Sequence, residues 1–87
     1  MRLRMPQGVL VEELDGDAVL LNPETGMYHM LNGSGWRLLD SFDAGASLAQ
    51  AADALANDAG ADADQVRADS DSFVRSMIDR GLLEEVT

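Results

Sequence analysis

The amino-acid sequence predicts an α+β protein in which a three-stranded antiparallel β-meander is followed by three helices. Two observations carry that prediction. Up to Leu31 the apolar residues come in short β-rich runs broken by turn chemistry, first at Asp15-Gly16 and then at Asn22-Pro23-Glu24-Thr25-Gly26. From Asn32 onward they recur at helical spacing, with a capping residue ahead of each run and a glycine behind it.

Residues 8–14, Gly-Val-Leu-Val-Glu-Glu-Leu, are β-rich and end at Asp15-Gly16-Asp17, a hairpin signal. The returning strand is 18–21, and its four consecutive apolar side chains predict a central strand covered on both faces. Pro23 and Gly26 close a second turn onto 27–31, Met-Tyr-His-Met-Leu. Tyr28 and Met30 fall on one face of this strand, and Met27, His29 and Leu31 on the other. Since helix follows, 27–31 is the last strand of its sheet and presents unpaired N–H and C=O groups. Such an edge can accept an extended peptide by β-augmentation.

Asn32 or Ser34 caps a first helix that carries Trp36, Leu38, Leu39 and Phe42 and breaks at Asp43-Ala44-Gly45. Trp36 and Leu39, three apart, point inward together. Ser47 and Gln50 have the spacing of a capping box, and Leu48, Ala51, Ala52, Leu55, Ala56 and Ala59 then trace one helical face until Gly60 stops it. Asp62-Ala63-Asp64-Gln65 opens the third helix, which runs to Arg80-Gly81. Its apolar stripe, Val66, Phe73, Val74, Met77 and Ile78, spans roughly 140° at about 100° per residue, wider than packing on one neighbour needs. One edge is expected in the core, and the side bearing Val66, Val74 and Ile78 is expected to stay partly open as the wall of a groove. The competing reading puts the whole stripe in the core. Residues 82–86 form a tail expected to pin back onto the sheet.

Composition narrows the function classes. Eighty-seven residues predict one domain over 1–87, with a modest core and no room for a deep enzymatic cleft as well. There is no cysteine, so disulfide and thiolate chemistry are excluded. Met1 to Pro6 has no apolar run behind its arginines, and no stretch approaches the ~20 apolar residues of a membrane span, so a soluble, cytoplasmic protein with no membrane partner is expected. Sixteen acids face six bases, all arginine, for a net charge of −10. Such a surface repels phosphate backbones and suits a basic or neutral partner. His29 is the sole histidine and cannot complete a zinc site or a triad. Gly33-Ser34-Gly35 resembles a phosphate-binding turn, but Leu38 occupies the place of the third glycine. Asp58, Asp62, Asp64 and Asp69 lack the glycine and glutamate of a calcium loop. No catalytic residue, metal or cofactor is therefore expected, and no enzyme activity.

The strand–helix junction reads Thr25-Gly26-Met27-Tyr28-His29-Met30-Leu31-Asn32-Gly33-Ser34-Gly35. It resembles the T-G-x-Y-x-x-L-N-x-x-G pattern of the PqqD family, matched at Thr25, Gly26, Tyr28, Leu31, Asn32 and Gly35, and the Gly81-Leu82-Leu83 ending fits too. Trp36 departs from the small residue usual in that family. The resemblance covers nearly the whole chain and implies a winged helix-turn-helix-like fold. It also implies a non-catalytic role: recognising the leader of a ribosomally made precursor peptide, a RiPP recognition element. The single-domain length and Asn-x-x-Gly junction are most similar to the stand-alone leader-binding subunit of lasso-peptide maturation systems. The implied partners are a precursor leader peptide and a separate maturation enzyme, a cysteine leader protease, or a radical enzyme if the pathway is quinone-cofactor-like.

In that family the leader adds as a strand between the third strand and the third helix. Here those walls are Met27, Tyr28, His29, Met30 and Leu31 on one side, and Val66, Ser70, Val74 and Ile78 on the other, with Arg67 and Asp71 at the rim. The peptide can run in either direction, and an open edge allows a monomer or a weak homodimer. The alternative is a winged-helix DNA-binding regulator, but Asp69, Asp71 and Asp79 interleave with Arg67, Arg75 and Arg80 on the third helix, so no nucleic-acid partner is expected.

Overall fold

Strand pairing begins where the turn chemistry put it. In the computed structural model, which describes residues 2–86, the elements run β1 (Arg2–Arg4), β2 (Leu10–Leu14), β3 (Asp17–Asn22), β4 (Met27–Leu31), α1 (Gly33–Asp43), α2 (Leu48–Ala59), α3 (Ala63–Asp79) and β5 (Glu84–Val86). Asp15 and Gly16 both take positive φ, 50° and 88°, and this twist lets a two-residue turn set Leu14 opposite Asp17. At the next turn Gly26 adopts φ 73° and donates its N–H to the Asn22 carbonyl at 2.9 Å, which places Asn22 opposite Met27. The sheet order is therefore β2-β3-β4, antiparallel throughout, with β4 at one edge.

Strand β3 is central, as expected, but its two faces are not equally covered. Ala18, Leu20 and Asn22 are buried against the helices, whereas Val19 and Leu21 are half-buried on the outer face. Cross-strand register puts Leu10, Leu21 and Tyr28 in one row of that outer face, with Tyr28 65% exposed and Leu10 58% exposed. Among the described residues no helix lies over it, so a continuous apolar run did not mean burial on both sides.

The tail also departs from expectation. Leu82 and Leu83 drive into the core, but Glu84–Val86 does not join the meander. It pairs antiparallel with Arg2–Arg4 in a separate two-stranded sheet, where Arg4 Nε also meets Glu84 Oε1 at 3.2 Å.

The helices cap as their sequences dictate. Asn32 rather than Ser34 caps α1, its side chain accepting the Gly35 N–H at 3.0 Å. Ser47 and Gln50 complete a reciprocal capping box on α2, and Gly60 ends that helix in the left-handed conformation. Asp62 caps α3 by accepting from the N–H groups of Asp64 and Gln65. One core results, built from Leu3, Leu20, Leu31, Leu38, Leu39, Phe42, Ala51, Val74, Met77, Leu82 and Leu83, with Trp36 packed partly buried against it.

Candidate functional site

The edge strand and the third helix are held at a fixed spacing by one buried amide. The Asn22 side chain accepts the Glu24 N–H at 2.9 Å within its own turn and donates to the Gly81 carbonyl at 2.8 Å, tying the start of β4 to the end of α3. Gly81 sits at φ 72°, and an added Cβ would come within 3.2 Å of Asn22 Nδ2. Glycine is thus required there twice, for its backbone and for its space.

From this hinge β4 and α3 run in opposite directions and leave a cleft of about 490 Å3 between them. Leu31, Leu38 and Leu55 form its apolar floor, His29 and Met30 its strand side, and Val66, Ser70 and Phe73 its helix side. Asn32, Ser34 and Gly35 close the end nearest α1, and Asp69 stands at the rim. A Cβ on Gly35 would lie 3.4 Å from Leu31 Cδ2 and 3.5 Å from Phe73 Cζ, so this glycine lets the start of α1 approach the strand and α3 closely. Among the described residues, the β4 edge facing the cleft has no strand beside it.

At the other end His29 is half-buried, with its ring 6.5 Å from that of Phe73 and tilted by 60°. Arg80 Nη1 donates to His29 Nδ1 at 3.1 Å. Arginine has no acceptor, so Nδ1 must be the lone-pair nitrogen and the neutral ring carries its proton on Nε2. Burial, and then the Arg80 charge, hold the His29 pKa below the ordinary imidazole value.

Not every residue expected at the site reaches it. His29, Met30 and Leu31 line the cleft, as do Val66 and Ser70. Met27 and Tyr28 lie on the same strand, exposed, with Tyr28 on the outer face. Val74 is only 1% exposed and belongs to the core, so it is no part of an open wall. Ile78 is half-buried against the core and does not line the cleft. Arg67 and Asp71 are turned toward α2: Arg67 grips Asp53 through Nε at 2.8 Å and Nη2 at 2.7 Å, and Asp71 binds Arg75. The open edge of the stripe is the Phe73–Val66 edge with Ser70 and Asp69, because α2 covers the opposite one. Phe73, Asp69, Leu38, Leu55 and Gly35 were absent from the expected set. Phe73 was visible as one end of the α3 stripe and Gly35 as a junction-motif residue, whereas nothing local marks Leu55.

Among the described residues, no cluster of three or more His, Asp or Glu could hold a metal ion, and no helix is long and apolar enough to cross a membrane. Fold and site together define a small α+β domain whose open sheet edge borders an apolar, strand-length cleft. The chain belongs to the PqqD family: the family model described as coenzyme PQQ synthesis protein D matches residues 17–83. Among solved structures it is similar to TbiB1 in complex with the TbiA(beta) leader peptide, with 26% identity and a TM-score of 0.87 over 97% of this chain and 98% of that one. It also resembles lasso peptide synthetase B1 complexed with the leader peptide, at 22% identity and a TM-score of 0.88 over 98% of this chain and 100% of that one. No curated protein matches the sequence.

Proposed function

We propose that this protein recognises the leader segment of a ribosomally made precursor peptide, takes it as an added strand in the β4–α3 cleft, and presents it to a separate maturation enzyme. The observation that carries this is the coincidence of an open strand edge with an apolar cleft directly beside it. Backbone groups of β4 supply hydrogen bonds to any extended peptide, and the cleft supplies selectivity by receiving alternate side chains. The likeness to TbiB1, solved with a leader peptide, supports the same use of the same fold here.

The chain acts by binding alone, raising the effective concentration of the precursor near its enzyme. That enzyme is a cysteine leader protease in a lasso-type pathway. The DNA-binding reading is not favoured, because Arg67 and Arg75 are already neutralised by Asp53 and Asp71 and the protein carries a net charge of −10.

Hydrogen exchange during titration with precursor leader peptides from the gene neighbourhood tests the reading. Binding at micromolar strength or better, about −8 kcal/mol, should protect β4 amides and the cleft side of α3. Protection confined to α1 and α2 would refute the site.

A further inference from the structure

Arg80 is an unusual cation for this protein. With 16 acids to 6 bases, carboxylates are in excess, and Arg4, Arg37, Arg67 and Arg75 each hold one; among the described residues Arg2 and Arg80 do not, and of these two only Arg80 is half-buried. Arg80 has no carboxylate partner among the described residues. Half-buried at the C-cap of α3, it spends one donor on His29 Nδ1, and no other side-chain hydrogen bond of its guanidinium is present among the described residues. A guanidinium offers five donors in a rigid fork, and those that His29 does not take stay open to solvent, where an incoming acceptor can reach them.

Its position relative to the cleft gives the missing partner a place. His29 lines the cleft and fixes Arg80 beside it, at the end where α3 meets the β3–β4 turn. The opposite end carries Asp69 at the rim, an exposed carboxylate whose bonded neighbour is the neutral Gln65 side chain at 2.9 Å. A cation therefore stands behind His29 beside one end of the cleft, and an anion stands at the rim of the other.

We propose that Arg80, positioned by His29, is a carboxylate-reading site, so that the peptides this cleft selects carry an Asp or Glu at the position lying beside the start of β4. The free donors of Arg80 take the carboxylate in a two-pronged pair. An acid at the opposite end would meet Asp69 and be rejected, so the preference is for one position and not for acidic peptides in general. This rests on the strand-in-cleft reading above.

The test uses a displayed library of random twelve-residue peptides selected against the intact chain, with Val66→Trp, which fills the cleft, as counter-selection. Peptides bound by the wild type and lost on Val66→Trp should carry Asp or Glu at one fixed distance from their apolar anchors. A synthetic binder with that acid changed to its amide should bind wild type roughly tenfold more weakly or worse, yet bind Arg80→Gln no more weakly than the parent peptide does. Arg80→Lys, which keeps the charge but not the fork, should recover part of the difference. Enriched cleft binders with no acidic position, or an amide change that weakens binding to wild type and Arg80→Gln alike, would overturn the assignment while leaving the cleft reading intact. If no selected peptide is sensitive to Val66→Trp, the cleft reading itself fails and this inference with it. The peptide-side substitution perturbs no protein fold, so the wild-type measurement remains decisive even if Arg80→Gln destabilises the chain.

Discussion

Val66 and Arg67 are neighbours in sequence on different faces of α3, about 100° apart, and substituting them should have different consequences. Val66 is half-buried and lines the cleft, whereas Arg67 is exposed and bonded to Asp53 on the α2 side. In Val66→Trp an indole occupies space that a leader side chain would otherwise fill. Burying one aliphatic or aromatic anchor is worth about 1.5–3 kcal/mol, so its exclusion should weaken leader binding roughly ten- to hundredfold. Because Val66 keeps partial contact with solvent, the substitution neither opens a core cavity nor overpacks one, and the melting temperature should move by no more than a few degrees. Arg67→Glu removes an ion pair and sets two acids side by side, which lowers stability slightly, but it should leave the leader affinity unchanged. Calorimetric titration with a leader peptide, with circular dichroism melts of both variants, checks the pair. A Val66→Trp protein that melts like the wild type and binds at wild-type strength would refute the cleft, and so would a large affinity loss in Arg67→Glu alone.

Asn32→Ala deletes the α1 cap and should cost about 1 kcal/mol, a fall of about 4–8 °C in melting temperature for a domain of this size. Leu20→Ala empties a site of zero exposure beneath the sheet and should cost about 2–5 kcal/mol by denaturant titration, a large share of the stability of so small a protein. The His29 pKa is lowered in the folded state, so the unfolded chain takes up the proton first as pH falls. Stability should therefore decline from about pH 6.5 down to the depressed folded value and then level off for this group. Melts between pH 7.5 and 5 should show that slope in the wild type and a weaker one in His29→Gln.

Local chemistry made most of the fold legible in the sequence. Asp15-Gly16 specified a turn that only positive φ can close, and Ser47 with Gln50 specified where α2 begins. What escaped was set by distant partners. Arg2–Arg4 and Glu84–Val86 are three-residue strands that carry no periodicity, and each is a strand only because the other lies beside it. The orientation of α3 was ambiguous for a related reason. A stripe of roughly 140° has two edges, and which of them faces the cleft depends on where α2 packs, fixed by contacts such as Arg67 with Asp53 fourteen positions away. That single rotation moved Val74 from the expected wall into the core and brought Phe73 and Asp69 to the cleft instead.

The amide of Asn22 acts as a calliper. Its reach, from one turn to the Gly81 carbonyl, sets how far apart the jaws of the cleft stand at one end, and the Gly35 close approach sets it at the other. The gap is thus gauged at its two ends, by the Asn22 amide and by Gly35, while most of the side chains that would touch the guest lie between them. Guest preference can therefore drift by exchanging residues such as Val66 or Phe73 without changing the aperture. Alteration of either gauge point would change the aperture for every guest at once.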